Sequence, residues 1–192
     1  IPQDPNDEPA KLLSEEIAAN KMLLVEEGLK TKSSGKEINT SEKYICVPNS
    51  WECLRLGDMA KFIDYRGRTP KKTKAGTRLI TAKNIKFGYL SLEPEEFIAV
   101  SDYSDWMTRG IPQIGDVLFT TEAPLGNVAI IDLSEKFALA QRAICLQFHV
   151  SSIGRFVALL MMSIAFQSRI KESASGMTAT GIKSSALKEV CI

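Results

Sequence analysis

Residues 115–132 read Gly115-Asp116-Val117-Leu118-Phe119-Thr120-Thr121-Glu122-Ala123-Pro124-Leu125-Gly126-Asn127-Val128-Ala129-Ile130-Ile131-Asp132. Two short apolar runs, Asp116–Thr121 and Val128–Ile131, are punctuated by Pro124–Gly126 and bounded by Gly115 and Asp132. Runs this short, with turn residues at both ends, predict strands rather than helices. The pattern recurs at Glu52–Leu56, Arg78–Thr81, Phe97–Val100 and Arg142–Phe148, with further turn signals at Gly67–Pro70 and Gly88. Ser151 or Ser152 starts a predicted helix that runs to about Lys171, rich in Leu, Met, Phe and Ile, and Ser175–Gly176 closes it. Short strands with one long apolar helix predict an α/β (α+β) domain.

A second helix is expected ahead of this core. Asp7 can cap it, Pro9 suits its first turn, and Glu15 and Glu16 sit where the helix dipole favours acids. Leu13, Ile17 and Leu24 fall on one stripe, Leu12 and Leu23 widen it, and Gly28 is the expected C-terminal cap. Thr31–Lys43 then holds a single aliphatic residue, Ile38, among polar ones, the composition of an exposed linker. The chain is thus read as a helical segment over 1–30, a linker over 31–45 and a compact domain over 46–192.

The 192 residues suit one domain, or one domain with an appendage, and 44% hydrophobic with 24% charged residues excludes wholesale disorder. The longest apolar run, Phe156–Met162, extends to Phe166 if Ser163 is tolerated. That is about half of the ~20 residues a membrane span requires, and no signal-sequence pattern opens the chain. Cys46, Cys53, Cys145 and Cys191 lack CxxC spacing, and the single histidine, His149, has only one cysteine near it in sequence, Cys145, four residues before. Neither a zinc site nor a disulfide scaffold is expected, and a reduced, cytoplasmic setting is.

Catalytic constellations are not found. Gly28, Gly35 and Lys36 imitate a P-loop, but six residues separate the glycines and Glu37 stands where Ser or Thr must hold magnesium. No GxGxxG, HExxH or GxSxG occurs. His149 beside an apolar strand is read as structural, and Glu93, Glu95 and Glu96 as a solvated face. No cofactor is expected.

Charge carries more. The net value of +1 conceals a block over 55–88 with ten Lys or Arg against Asp58 and Asp64, followed by a block over 89–135 with nine acids against Arg109. Such polarity suits contact with a polyanion through one face. Within the basic block, Arg66-Gly67-Arg68-Thr69-Pro70-Lys71-Lys72 is a Gly/Pro-punctuated loop. Lysines there supply charge to phosphates, and arginines can also fork onto guanine edges. Arg66 and Arg68 are the expected base readers. Lys71, Lys72, Lys74, Arg78, Lys83 and Lys86 are candidate DNA contacts, and Asn84 and Gln141 carry amides suited to adenine if they face a groove; read from charge alone, the same block also fits a solubilising loop. Trp51 and Trp106 are read as core or domain-edge aromatics. The small-residue loop Ser175–Gly181, with Lys183 after it, is the next candidate for approach to a nucleic-acid backbone.

Ordered phrases then align with a known family. Pro48-x-x-Trp51-x-x-x-x-Leu56-Gly57-Asp58, Gly67-x-Thr69-Pro70, Asn84-Ile85-x-x-Gly88, Gly115-Asp116-Val117-Leu118-x-Thr120, Gly126-Asn127-Val128-Ala129, and Gly176 with Gly181-Ile182 and Leu187 follow one another. Together they resemble the target recognition domain of type I restriction–modification specificity subunits. The leader Pro2–Ala10, with Leu12-Leu13 and Val25-x-x-Gly28, is similar to the segment preceding that domain in one branch of the family.

The resemblance implies a twisted, partly barrel-like β-core and a non-catalytic subunit that selects the DNA sequence. It implies two recognition domains, each reading one half of a bipartite double-stranded site. Its partners would be methylation subunits that use S-adenosylmethionine and an ATP-driven restriction subunit. The missing initial Met and the ending at Val190-Cys191-Ile192, where the family continues into a turn and a long helix, predict an excised fragment with one recognition domain. Two other readings stand beside it: the recognition domain of a fused restriction–methylation enzyme, and a protein-interaction module.

Overall fold

A computed structural model of the chain describes residues 4, 6–28, 38, 39, 42, 48, 50–65, 69–174 and 181–192. Eight strands form two four-stranded sheets among them. The larger sheet holds β1 (Ala60–Asp64), β5 (Val117–Thr121), β6 (Leu125–Ile130) and β8 (Ala143–Phe148), in the order β1-β8-β5-β6 and antiparallel throughout. The smaller one holds β2 (Lys72–Thr73), β3 (Thr77–Ile80), β4 (Phe97–Ile98) and β7 (Phe137–Leu139), ordered β2-β4-β3-β7, with β3 and β7 parallel.

The central strand β5 explains the layering. All five of its residues are buried, so both of its faces are covered. Side chains alternate across a strand, and the alternation sorts the core in two. Val117 and Phe119, with Ile144, Leu146 and Val128, join the cluster packed under the helices. Leu118, with Ala143, Cys145 and Ala129, joins the cluster shared with the smaller sheet, Leu79, Ile80 and Leu139. The larger sheet is therefore the middle layer of three.

The phrase 115–132 is a strand–turn–strand unit whose fixed residues have structural work. Asp116 is buried; its carboxylate accepts from Gln113 N at 2.8 Å and Gln147 Nε2 at 3.0 Å, and burial raises its pKa. Gly126 has φ +89, and a Cβ there would lie 2.6 Å from Gln167 Oε1 and 2.9 Å from Ile170 Cδ1. Both the backbone turn and the close helix demand glycine. Asn127 Nδ2 donates to Ile85 O at 2.8 Å, tying β6 to the turn after β3.

Helices cover the outer face. α1 (Ala10–Glu26) starts after Pro9 with no side-chain cap, so Asp7 does not cap it, while Gly28 follows its end at φ +98. Ile17 is buried, contributing about 2 kcal/mol by transfer. Leu12 and Leu23, expected to widen the stripe, are 50% and 59% exposed instead. Lys21 Nζ bonds Asp58 Oδ1 at 2.6 Å and Asn20 Nδ2 donates to His149 O at 3.0 Å, fastening α1 near α2 (Leu56–Met59).

The single long helix expected over 151–171 is not continuous. A 3-10 turn at Ser151–Ile153 leads into α4 (Gly154–Met162), and α5 (Ile164–Glu172) leaves at 71° to the preceding helical stretch. Ser163 makes the break: its backbone is extended and its Oγ accepts from Phe166 N at 3.2 Å, capping α5. The bend lets Val157 and Met161 on one helix, and Phe166 and Ile170 on the other, enter the same cluster. Among the described residues no single helix is long and apolar enough to cross a membrane.

Glu52–Leu56 forms no continuous strand either. Leu54 and Ile192 exchange backbone bonds at 2.8 Å, and Arg55 forms an isolated bridge with Cys191 ahead of α2. Arg55, a member of the basic block, is 4% exposed and paired with Glu42 at 3.0 Å and Glu189 at 3.6 Å. Two short helices complete the fold, α3 (Tyr103–Trp106) beside the smaller sheet and α6 (Ser184–Glu189) near α2.

Candidate nucleic-acid interface

Strand pairing brings several chain segments to one end of the larger sheet. β1 ends at Asp64, opposite Ile144 near the start of β8; β5 ends at Thr121, whose N–H donates to Arg142 O at 3.0 Å. β6 begins at Leu125, and Ile182 N donates to Thr121 O at 3.0 Å, beside the bridge between Glu122 and Gly181. This end therefore gathers the exit of β1 towards residue 66, the turn over 122–124, the turn at Arg142, and Gly181–Lys183.

The backbone is tensed here. Ala123 at φ +45 and Arg142 at φ +71 are the described non-glycine residues with positive φ, and both lie at this end. Such conformations cost about 1–2 kcal/mol per residue and concentrate at functional sites. The Arg142 side chain is 53% exposed and pairs with Glu122 at 2.9 Å, an exposed contact of little energetic weight.

A second cation belongs to the same end. Arg109 donates from its guanidinium to Asp64 O and lies 5.8 Å from the centre of the Tyr65 ring. The Tyr65 hydroxyl, held under the surface, accepts from Arg109 N at 2.8 Å and donates to Gly110 O at 3.1 Å. Burial raises the Tyr65 pKa, which keeps the phenol neutral at the end of β1.

The residues expected from sequence fall into four groups. Arg66 and Arg68 lie outside the described residues, as does most of the Ser175–Gly181 loop. Lys183 is exposed at the strand end. Lys71, Lys72 and Lys74 are exposed at and around β2, and Lys72 pairs with Glu96 at 2.7 Å. Lys83 is exposed and Lys86 half-buried on the turn after β3, beside the exposed rings of Phe87 and Tyr89.

Two of the expected residues are engaged within the protein. Arg78 is committed inside the protein: Nη2 bonds Glu95 at 3.0 Å, Nε bonds Glu135, and the guanidinium stacks 5.6 Å from the Phe97 ring centre. Asn84 is 1% exposed; its Oδ1 accepts from Thr81 N and Oγ1, and its Nδ2 donates to Ser91 O and Pro94 O, both at 3.1 Å. Its amide shapes the turn and presents no edge to a base.

Arg142 and Arg109 were not among the residues expected from sequence. Arg142 sits between the apolar runs 137–140 and 143–148, a cation at a strand junction, and that position was the available signal. Arg109 is the lone base in an acidic block, where averaging over the block hides it. Trp51 is 45% exposed at a domain edge, whereas Trp106 is core, donating to Leu139 O at 3.0 Å and stacking on Tyr65 at 5.6 Å. Among the described residues no group of His, Cys, Asp and Glu is arranged to hold a metal.

Comparison with known proteins bears on the whole arrangement. Residues 48–192 match the family model described as type I restriction modification DNA specificity domain. The chain is 32% identical over 132 residues to the type I restriction enzyme EcoAI specificity subunit of Escherichia coli, covering 68% of this chain and 22% of that protein. It is 43% identical over 61 residues to the EcoEI specificity subunit of the same organism, covering 31% of this chain and 10% of the relative. The chain thus spans about a fifth or less of these relatives' lengths.

Two solved structures share the fold. One, from work on complex assembly and conformational transition of the type I R-M system, superposes with a TM-score of 0.54 at 18% identity, over 96% of this chain and 41% of that one. The other, the HsdS subunit from Thermoanaerobacter tengcongensis, gives 0.51 at 16% identity, over 95% and 41%. With three quarters of its length inside one family model, the chain belongs to the type I restriction modification DNA specificity domain family.

Proposed function

We propose that this chain recognises one half of a bipartite double-stranded DNA site on behalf of a type I specificity subunit, and that it reads bases from the strand-end loops of the larger sheet. Membership of the specificity-domain family over residues 48–192 is the observation that carries the reading. The strand end supports its placement through the convergence of four segments, the strained Arg142, and the exit of β1 towards Arg66 and Arg68. Arginines suit this work because one guanidinium can satisfy both acceptors of a guanine edge. Lys71, Lys74, Lys83 and Lys183 would act through phosphates, setting affinity and register but not sequence.

In this reading the chain does no catalysis and carries no cofactor. Methylation and restriction would belong to separate subunits, the second half-site to a second recognition domain, and the setting to the cytoplasm, where Cys53, Cys145 and Cys191 would stay unbridged thiols. The division into segment 1–30, linker 31–45 and domain 46–192 is part of the proposal.

Transplantation tests it. Built into a complete specificity subunit in place of the resident recognition domain, residues 46–192 should bring a new half-target and leave the other half and the gap unchanged. Base contacts are local, whereas spacing is set by the elements that join the domains. A transplant that keeps the resident half-target would refute the reading.

A further inference from the structure

At the other end of β1 and β8, away from the strand-end loops, an apolar groove of about 890 Å³ opens between the start of α1, the segment 50–54 and α4. Ile17, Met59, Ile153 and Val157 line its depth. At its mouth stand Trp51 and Phe156, 45% and 52% exposed, their rings edge to face at 6.5 Å. On the same helical pair, Leu159 of α4 and Ile164 of α5 are 60% and 87% exposed. Two exposed aromatics held against each other over an open apolar trough are costly in water unless something covers them.

The rim specifies what covers them. Asp4, Asp7, Glu8 and Glu52 line the groove, all exposed, and among the described residues no Lys or Arg does. Four carboxylates around an apolar trough repel nucleic acid and acidic peptides and attract a cationic ligand with an apolar face. An α-helix about 10 Å across would fill the volume with roughly two turns. A helix with an apolar stripe and Lys or Arg along its borders meets both demands.

We propose that this groove docks a cationic amphipathic helix of a protein partner. The proposal goes beyond DNA reading and stands or falls separately from it, because groove and strand-end loops occupy opposite ends of the same strands. A DNA-bound chain would keep this face open to its partner.

The test uses the full chain and a synthetic amphipathic leucine–lysine helix, longer than the ~15 residues below which isolated helices are marginal. Trp51 fluorescence reports occupancy, with Trp51→Phe as the blank. The leucine–lysine helix should saturate the signal and shift it to the blue, and a leucine–glutamate helix of the same apolar pattern should not. The double variant Asp7→Lys with Glu52→Lys should weaken the lysine helix by about tenfold or more and admit the glutamate helix. Phe156→Ser should weaken binding with the melting temperature preserved, since that ring is half in water. Duplex DNA should leave the peptide signal in place.

Equal binding of both helices, indifference to the charge swap, or displacement of the peptide by DNA would each overturn the proposal. So would self-association of the chain through Trp51 that the lysine helix does not reverse, which would assign the groove to a second copy.

Discussion

The two ends of the larger sheet share strands β1 and β8 yet differ in kind. At one end the backbone is tensed at Ala123 and Arg142, the exposed side chains include Arg142 and Lys183, and several loops meet. At the other, α1 is fastened by Lys21 and Asp58, and acids rim an apolar groove. Antiparallel strands carry no large net dipole to make their ends differ. The difference is written in the connections: turns on the Arg142 end and packed helices on the other. A small domain can thus present one face to a polyanion and another to a protein, with the core between them.

That contrast breaks most visibly at the Lys21–Asp58 pair. Its side chains are 11% and 29% exposed, so Asp58→Ala leaves a largely buried ammonium and should cost roughly 2–3 kcal/mol. The cost should fall on α1. Trypsin, expected from composition to cut first among Lys30–Lys43, should leave the helix bound to the parent domain in native size exclusion. In Asp58→Ala the clipped helix should be released, while DNA affinity stays within twofold. A fall in DNA affinity equal to the loss of the helix would show that the two ends are not independent.

At the reading end, Arg142→Gly should separate stability from function. Glycine takes φ +71 without strain, so melting should rise by the equivalent of about 1 kcal/mol. DNA binding should weaken at the same time. A variant that is both more stable and as tight a binder would mean that the strain at Arg142 serves no contact. Neutralising Lys71, Lys72 and Lys74 together should weaken binding to every sequence and flatten its salt dependence, read by titration across ionic strengths.

The smallest effect is a pH dependence confined to the α1 end. His149 is 9% exposed, with neither ring nitrogen hydrogen-bonded, and burial, with Lys21 nearby, lowers its pKa although Asp58 opposes this. A folded value below the ordinary 6.5 favours the neutral ring, so the stability it contributes is present above pH 6.5 and lost as pH falls through the folded value. Denaturant midpoints should drop over that range, and His149→Phe should flatten this part of the slope.

How far the sequence carried the account depends on the residue type. The strand–turn–strand unit at 115–132 was legible because short apolar runs and turn residues are local signals. β1 was not: Ala60–Asp64 follows a four-residue helix and contains Lys61 and Asp64, so composition hid a strand whose partner β8 lies more than eighty residues away. The break at Ser163 was hidden because an apolar run looks alike whether straight or bent, and only the Ser163 cap with the shared cluster beneath it makes the bend favourable. Charge misled most. Arg78 and Asn84 have side-chain types that suit DNA, but Glu95 and Glu135, seventeen and fifty-seven residues on, claim the first, and the turn between Thr81 and Pro94 claims the second. A basic block counts charges and cannot say which of them are already spent.

The central claim is that bases are read from the strand end, and single-base competition tests it most directly. With the half-site in hand, the parent, Arg66→Ala, Arg68→Ala and Arg142→Ala are each titrated against every single-base variant of that half-site. At least one arginine variant should lose about 1–3 kcal/mol on the parent sequence and show relaxed preference at one base position, with the other positions read as before. If all three lose affinity by the same factor for every variant, these arginines only grip phosphate and the reading surface lies elsewhere.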